Sequence, residues 1–145
     1  MENDRLVLKS IARTGRIFHA YIRQECDKIG INCSFQGIIR ILSKENGLSQ
    51  LDLAKKLVLA PPTVSLTLQK MEYVGYIERK PDADDARITR VYLTEKGFSV
   101  DEQIIAIFKK VEKRMANIIP VEQQELLFAL LDNIDNELLL MQQED

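Results

Sequence analysis

The chain has 145 residues, 46% of them apolar and 29% charged, with six glycines, four prolines and no tryptophan; this is the composition of one helix-rich globular domain with a real core. Its formal charge of −2 argues mildly against a nucleic-acid partner, but the charge is segregated. Residues 1–120 hold all 20 Lys/Arg against 15 acids (+5), and residues 121–145 hold seven acids and no cation (−7), so an acidic end hides a potentially basic face.

Residues 6–28 carry Leu6, Ile11, Phe18 and Ile22 at mixed three- and four-residue steps, the pattern of one long helix ended by Gly30. Ser34 is placed to cap a second helix bearing Phe35, Ile38, Ile39, Ile41 and Leu42, which stops by Gly47. Ser49 opens a third, with Asp52 at capping-box spacing and Leu53, Ala54 and Leu57 apolar. The link VLAPP follows; Pro61 and Pro62 suit a turn and a first helical position. A short, hydroxyl-rich helix, TVSLTLQKMEYVG, then sets Val64, Leu68 and Met71 on one face and closes at Gly75. Two strand-like runs, Tyr76 to Lys80 and Ile88 to Leu93, flank the acidic loop PDADDAR. Thr94 caps a long helix with an apolar stripe over 98–118, and beyond Pro120 a last helix over 122–141 carries Leu126, Leu127, Leu130, Leu131, Ile134 and Leu138.

Ala54 is small where two helices must cross closely, and Val64 stands ten residues on, where the next helix packs back. That spacing suits a helix-turn-helix, whose second helix enters a major groove. Its solvent side would show Pro62, Thr63, Ser65, Leu66, Thr67, Gln69 and Lys70. Hydroxyls bond bases or phosphates, Gln69 reads adenine if it points into the groove, and Lys70 suits a phosphate. Leu66 and the Thr63 methyl offer only apolar contacts. The same Ser and Thr also serve as plain helix caps, and the lysines as ordinary surface.

The run LSQLDLAKKLVLAPPTVSLTLQKMEYVGYIERKPDADDARITRVYLTEKG, residues 48–97, resembles the MarR family of winged-helix transcriptional regulators. The resemblance rests on Leu53-Ala54, Thr63-Val64-Ser65, Met71-Glu72 with Gly75, Asp85 with Arg87, and Leu93-Thr94 with Gly97. It implies a mainly α fold with a small β-wing. One domain would span 1–145, with a winged helix-turn-helix lobe over 34–97 and dimerisation helices over 6–28 and 98–141. It further implies a homodimer on double-stranded DNA, a repressor of palindromic operators, and a wing in which Asp85 orients Arg87 toward DNA. Asp and Pro are equally plain turn formers, which alone accounts for PDADD. Two departures remove expected cations: Leu66 and Ala86 stand where the family usually has Arg. Arg79, Lys80 and Arg90 are candidates to compensate.

The resemblance also implies a small aromatic effector, with Phe18, Tyr21, Ile22, Phe35 and Ile38 as candidate lining; the same residues read as core. His19 has no metal partners nearby in sequence, and no cofactor is expected. Cys26 and Cys33 lack zinc-like spacing; Cys33 precedes a helix start, but redox sensing is not the expectation. The N-terminal stretch lacks a secretory h-region and no apolar run reaches membrane-span length, so a reducing cytoplasm is the expected compartment and no membrane partner is expected. No nucleophile–base set, paired carboxylates or phosphate loop suggests an enzyme. The competing reading is a protein-interaction winged helix with weak DNA binding, motivated by Leu66, Ala86 and the acidic end.

Overall fold

The computed structural model describes residues 6–144. Six helices and one hairpin follow in order: α1 (Val7–Lys28), a single 3-10 turn (Cys33–Phe35), α2 (Gln36–Lys44), α3 (Gln50–Leu57), α4 (Pro61–Tyr73), β1 (Ile77–Pro81), β2 (Thr89–Leu93), α5 (Glu95–Ile118) and α6 (Val121–Gln143). This is the expected mainly α fold with a small antiparallel wing. Contacts divide the chain into two compact units, one ending at Ile107 and the other beginning at Phe108.

Local chemistry explains the boundaries. Gly30, at φ +72°, follows α1 with a left-handed turn that a side chain would resist. Asn32, not Ser34, caps the following turn: its Oδ1 accepts from the Ser34 N–H at 2.9 Å and from the Ser34 hydroxyl at 2.7 Å. An Asn two residues ahead of a backbone N–H closes an Asx turn, which competes with a Ser cap and wins here. Ser49 caps α3 as expected, accepting from the Asp52 N–H at 3.1 Å. Helix α4 begins at Pro61, two residues before the expected start, because both prolines fit the first turn, where the N–H has no intrahelical partner. Thr94 Oγ1 accepts from the Gly97 N–H at 3.2 Å, so α5 starts at Glu95 rather than 98.

Unit one is organised around α2, α3, α4 and the hairpin. Ile38, Ile39, Leu42, Leu53, Val64, Leu68, Met71, Ile77 and Val91 are all essentially excluded from solvent, each such side chain contributing roughly 1.5–3 kcal/mol of transfer free energy. Helix α3 packs on α4, and α4 on β1. The wing pairs Ile77 with Leu93 and Pro81 with Thr89 in an unbroken antiparallel register. The α2–α3 connection adds a third rung on the other edge of β2: the Gly47 N–H donates to Val91 O and the Val91 N–H to Leu48 O, both at 2.9 Å, while Asn46 Oδ1 accepts from the Leu93 N–H. Sequence reading took residues 46–49 only as a helix end and a cap, because two such rungs leave no alternating pattern. At the start of α5, an Arg40–Asp101 ion pair at 2.8 Å ties that helix to α2.

Gly97 shows how close the approach is. A Cβ there would lie 2.3 Å from Tyr76 O and 2.8 Å from the Leu93 side chain. The helix start and the hairpin entry pass too near one another for any other residue.

Unit two is the second half of α5 with α6, and no residue of α6 is buried. Leu126, Leu127, Phe128, Leu130, Leu138, Leu139, Leu140 and Met141 are exposed. Among the described residues no helix is long and apolar enough to cross a membrane.

Candidate nucleic-acid interface

Helix α4 is amphipathic in a specific sense: it buries Val64, Leu68 and Met71, and its opposite face carries short polar and apolar groups rather than a dense row of charge. Pro62, Thr63, Leu66, Gln69 and Lys70 are exposed, and Ser65 and Thr67 are half-buried. The Thr67 hydroxyl donates to Thr63 O at 3.0 Å, leaving its lone pairs for an incoming donor. Leu66 is 55% exposed and Tyr73 93% exposed. Tyr73 was not singled out in the sequence; its spacing, four residues after Gln69 and seven after Leu66, places it on the same face.

The helix is reached through an unusual corner. Val58 caps α3 in the left-handed region, at φ 54° and ψ 45°, where a β-branched side chain crowds the backbone. Its N–H reaches Lys55 O at 3.2 Å and the Leu59 N–H reaches Ala54 O at 3.1 Å, so the strain is offset by satisfied helix-end carbonyls.

The acidic loop PDADDAR resolves into two carboxylate–guanidinium clamps. Asp85 accepts from Arg87 Nε at 2.9 Å and from a terminal guanidinium N–H at 2.8 Å, a two-point pair, and also from the Arg87 backbone N–H at 3.1 Å. The Arg87 side chain stays 90% exposed while so held. Its hydrogen bonds to Asp85 hold the carboxyl below, and the guanidinium above, their ordinary values. Asp82 takes the other role. It accepts from Arg90 Nε and from the backbone N–H groups of Asp84 (3.1 Å) and Asp85 (3.0 Å), knitting the loop closed. The Arg90 side-chain bond, then those backbone bonds, depress the Asp82 pKa. Arg90 also donates to Gly47 O at 3.0 Å.

The wing cations therefore divide. Arg87 projects from the loop. Arg79 is engaged within the lobe, donating to both Glu72 oxygens at 3.1 and 3.3 Å and to Gln50 at 3.3 Å, and that pairing lowers the Glu72 pKa. Arg90 is engaged by Asp82 and Gly47. Lys80 lies 3.4 Å from Glu78 and 5.6 Å from the Tyr92 ring centroid. The carboxylate partners of Arg79 and Arg90 lie 7 and 8 residues away in sequence, and Gln50 and Gly47 lie 29 and 43 away, a pairing that the residue pattern alone does not fix.

The remaining sequence candidates fall elsewhere. Ile22, Phe35 and Ile38 are core residues, Phe18 is exposed and Tyr21 half-buried. Phe35 also lines a cleft of about 530 Å³ with Gly30, Asn32, Gln69, Lys70, Tyr73, Val74 and Tyr76. Its ring meets Tyr76 edge-on with centroids 6.0 Å apart. His19 is exposed, and no cluster of metal-ligating side chains occurs among the described residues. Cys26 and Cys33 are both buried and unoxidised. Burial, and secondarily the neighbouring Cys33, pushes the Cys26 thiol up to about 11, and burial raises Cys33 as well. Both therefore rest as unreactive thiols near neutral pH.

Residues 37–89, which contain the helix pair and both clamps, match the family model described as MarR family. That run is similar to the MarR family. Solved structures extend the likeness beyond the lobe. A MarR transcriptional regulator from Methanosarcina mazei Go1 is 26% identical, with 92% of this chain and 97% of that one covered and a TM-score of 0.80. MepR from S. aureus, solved in complex with DNA, is 25% identical over 93% of this chain and 99% of its own, with a TM-score of 0.86. A MarR protein from Peptoclostridium difficile shares the fold at 18% identity, covering 95% and 91% of the two chains, with a TM-score of 0.84. Within the winged lobe, Gly97 and the Thr94 cap lie beyond the matched run, and their contacts to Tyr76 and Gly75 join the start of α5 to the hairpin.

Proposed function

We propose that this protein is a DNA-binding transcriptional regulator that acts as a homodimeric repressor on palindromic operators. One observation carries the reading: Asp85 holds Arg87 outward at the wing while α4 turns a face of Thr63, Leu66, Gln69 and Lys70 to solvent. A pre-oriented guanidinium loses less freedom on meeting phosphate or a minor groove than a free one. In this reading Thr63, Ser65, Thr67 and Gln69 meet base edges and Lys70 a phosphate, while Arg79 and Arg90 act by holding the lobe's shape. The solved DNA complex of MepR supports it. Twofold pairing would set two lobes about 34–36 Å apart on one face of the duplex, with the exposed apolar rows of α1, α5 and α6 supplying the surface to bury.

The test is a titration against the chain's own upstream DNA across a range of salt concentrations. A binding constant that falls steeply with salt, and a footprint with twofold symmetry, support the reading; affinity indifferent to salt overturns it. Release by a small aromatic effector is its finer part, and the cleft beside Phe35, Tyr73 and Tyr76 is where that ligand would bind. Titrating a panel of phenolic acids while following tyrosine fluorescence and DNA release checks it.

A second reading, a winged helix that docks on protein, is favoured by one feature: the exposed face of α4 centres on Leu66, and two of the lobe's arginines are already engaged. Tight binding to a palindrome excludes it.

A further inference from the structure

Each base shows its own edge in the major groove, and each edge has a preferred side chain. Arginine or lysine takes N7 and O6 of guanine, a carboxylate the N4 amino group of cytosine, an amide side chain N6 and N7 of adenine, and an apolar group the 5-methyl of thymine. Helix α4 presents only part of that set. Its buried row is Val64, Leu68 and Met71. At about 100° per residue, Pro62, Leu66 and Gln69 fall within roughly 60° of arc on the side opposite that row. Thr63 and Lys70 lie along one margin of this seam, and Ser65 and Glu72 along the other.

The helix contains no arginine. Its single carboxylate, Glu72, is occupied by Arg79, which donates to both of its oxygens. Glu72 also stands in the last turn, away from the first turns that meet base edges. The guanine and cytosine readers are therefore missing from the seam, and Lys70, the helix's one cation, stands off its centre. What the seam offers is an adenine reader, Gln69, and an apolar group, Leu66, 55% exposed, with the Thr63 methyl three residues before it.

The wing points the same way. Arg79 and Arg90 are engaged within the lobe and Arg40 is paired with Asp101. Arg87 projects, its side chain 90% exposed. A guanidinium favours the narrow minor groove of A·T tracts, where the negative potential is deepest.

We propose that the lobe selects A·T pairs: Leu66 covers a thymine 5-methyl, Gln69 bonds an adenine edge, and Arg87 enters an A·T minor groove beside them. The inference rests on the DNA binding proposed above and adds which base pairs are chosen. Leu66 is then a specificity residue without charge. It favours thymine by burying a methyl, and it disfavours guanine and cytosine by leaving their polar edges without a partner.

The experiment uses the full chain and a library of duplexes with a randomised centre. The wild type is expected to enrich half-sites built on A·T pairs. Thymines of a selected half-site are then replaced one at a time by deoxyuridine, which removes only the 5-methyl. At the position under Leu66 this should weaken wild-type binding about fourfold, the worth of one buried methyl. Leu66→Ala should bind both duplexes equally and, since no charge is lost, keep the wild-type salt dependence. Leu66→Arg should shift selection toward guanine at that position. The deoxyuridine comparison on the wild type requires no variant, so it decides the matter even where a substitution unfolds the chain. Half-sites rich in G·C, or deoxyuridine duplexes bound as tightly as thymine ones at every position, would overturn the inference and leave DNA binding standing. A library from which no sequence is enriched would overturn both the inference and the operator reading.

Discussion

Helices α4 and α6 are both rich in apolar residues, yet α4 buries Val64, Leu68 and Met71 within its own unit and α6 buries nothing. The difference lies in neighbours. Helix α4 is bracketed by α3 and the hairpin, which close on its apolar side. Helix α6 follows a proline turn at the chain's end and brings a row of leucines with no such bracket. One helix is finished by its own chain, while the other presents surface that is stable only when something covers it.

Truncation should expose this contrast most strongly. Leu68→Ala removes a side chain with no solvent exposure and should cost about 2–5 kcal/mol in a urea titration. Leu130→Ala, on the exposed row of α6, should cost far less in the isolated chain and register instead in self-association. Equal losses of monomer stability would break the comparison. Gly97→Ala belongs with the first: its Cβ would meet backbone at 2.3 Å, and overpacking of this kind should lower stability by about 1–3 kcal/mol.

Function should follow the finished unit. Arg87→Ala should weaken DNA binding about tenfold, or ~1.4 kcal/mol, across all sequences and with an unchanged melting temperature. Asp85→Asn should lose less, because Arg87 remains but swings freely. Unchanged affinity in Arg87→Ala would take the wing out of the interface. A smaller effect, of opposite sign, is expected at the α3 corner. Val58→Gly relieves a left-handed β-branched residue and should raise stability by about 1 kcal/mol, read as an upward shift in melting temperature.

The smallest effect is that of pH. Hydrogen bonds from Arg90 and Arg87 depress the Asp82 and Asp85 carboxyls. A depressed carboxyl contributes stability above its unfolded pKa and loses it as pH falls through the folded one. Both clamps should therefore hold unchanged from about pH 5 to 8, and loosen only below about pH 4. DNA affinity that tracks these carboxyls near neutrality would contradict the geometry.

Much of the lobe was legible from the residues. Val64, Leu68 and Met71 announced their buried face by spacing, Ser49 its cap, and Gly75 its turn, because each depends on chemistry within a few positions. Arg79 and Arg90 were not legible. Whether an arginine faces solvent or Glu72, Gly47 or Asp82 depends on strand register, and register is a property of two segments at once. The edge pairing of residues 46–49 with β2 was hidden for the same reason. Tyr73 was legible in principle from its seven-residue step past Leu66, but its neighbours Met71 and Val74 mask the period.

The clamped wing loop also bears on the timing of association. Asp85 and Arg87 cancel at a distance, so together they act as a dipole whose field decays faster than that of a bare cation. Such a group steers nothing from afar and is felt only once the duplex lies within a few ångströms. Arg87 should then govern how long a complex survives rather than how often one forms, with Arg87→Ala accelerating dissociation and leaving the arrival rate nearly untouched.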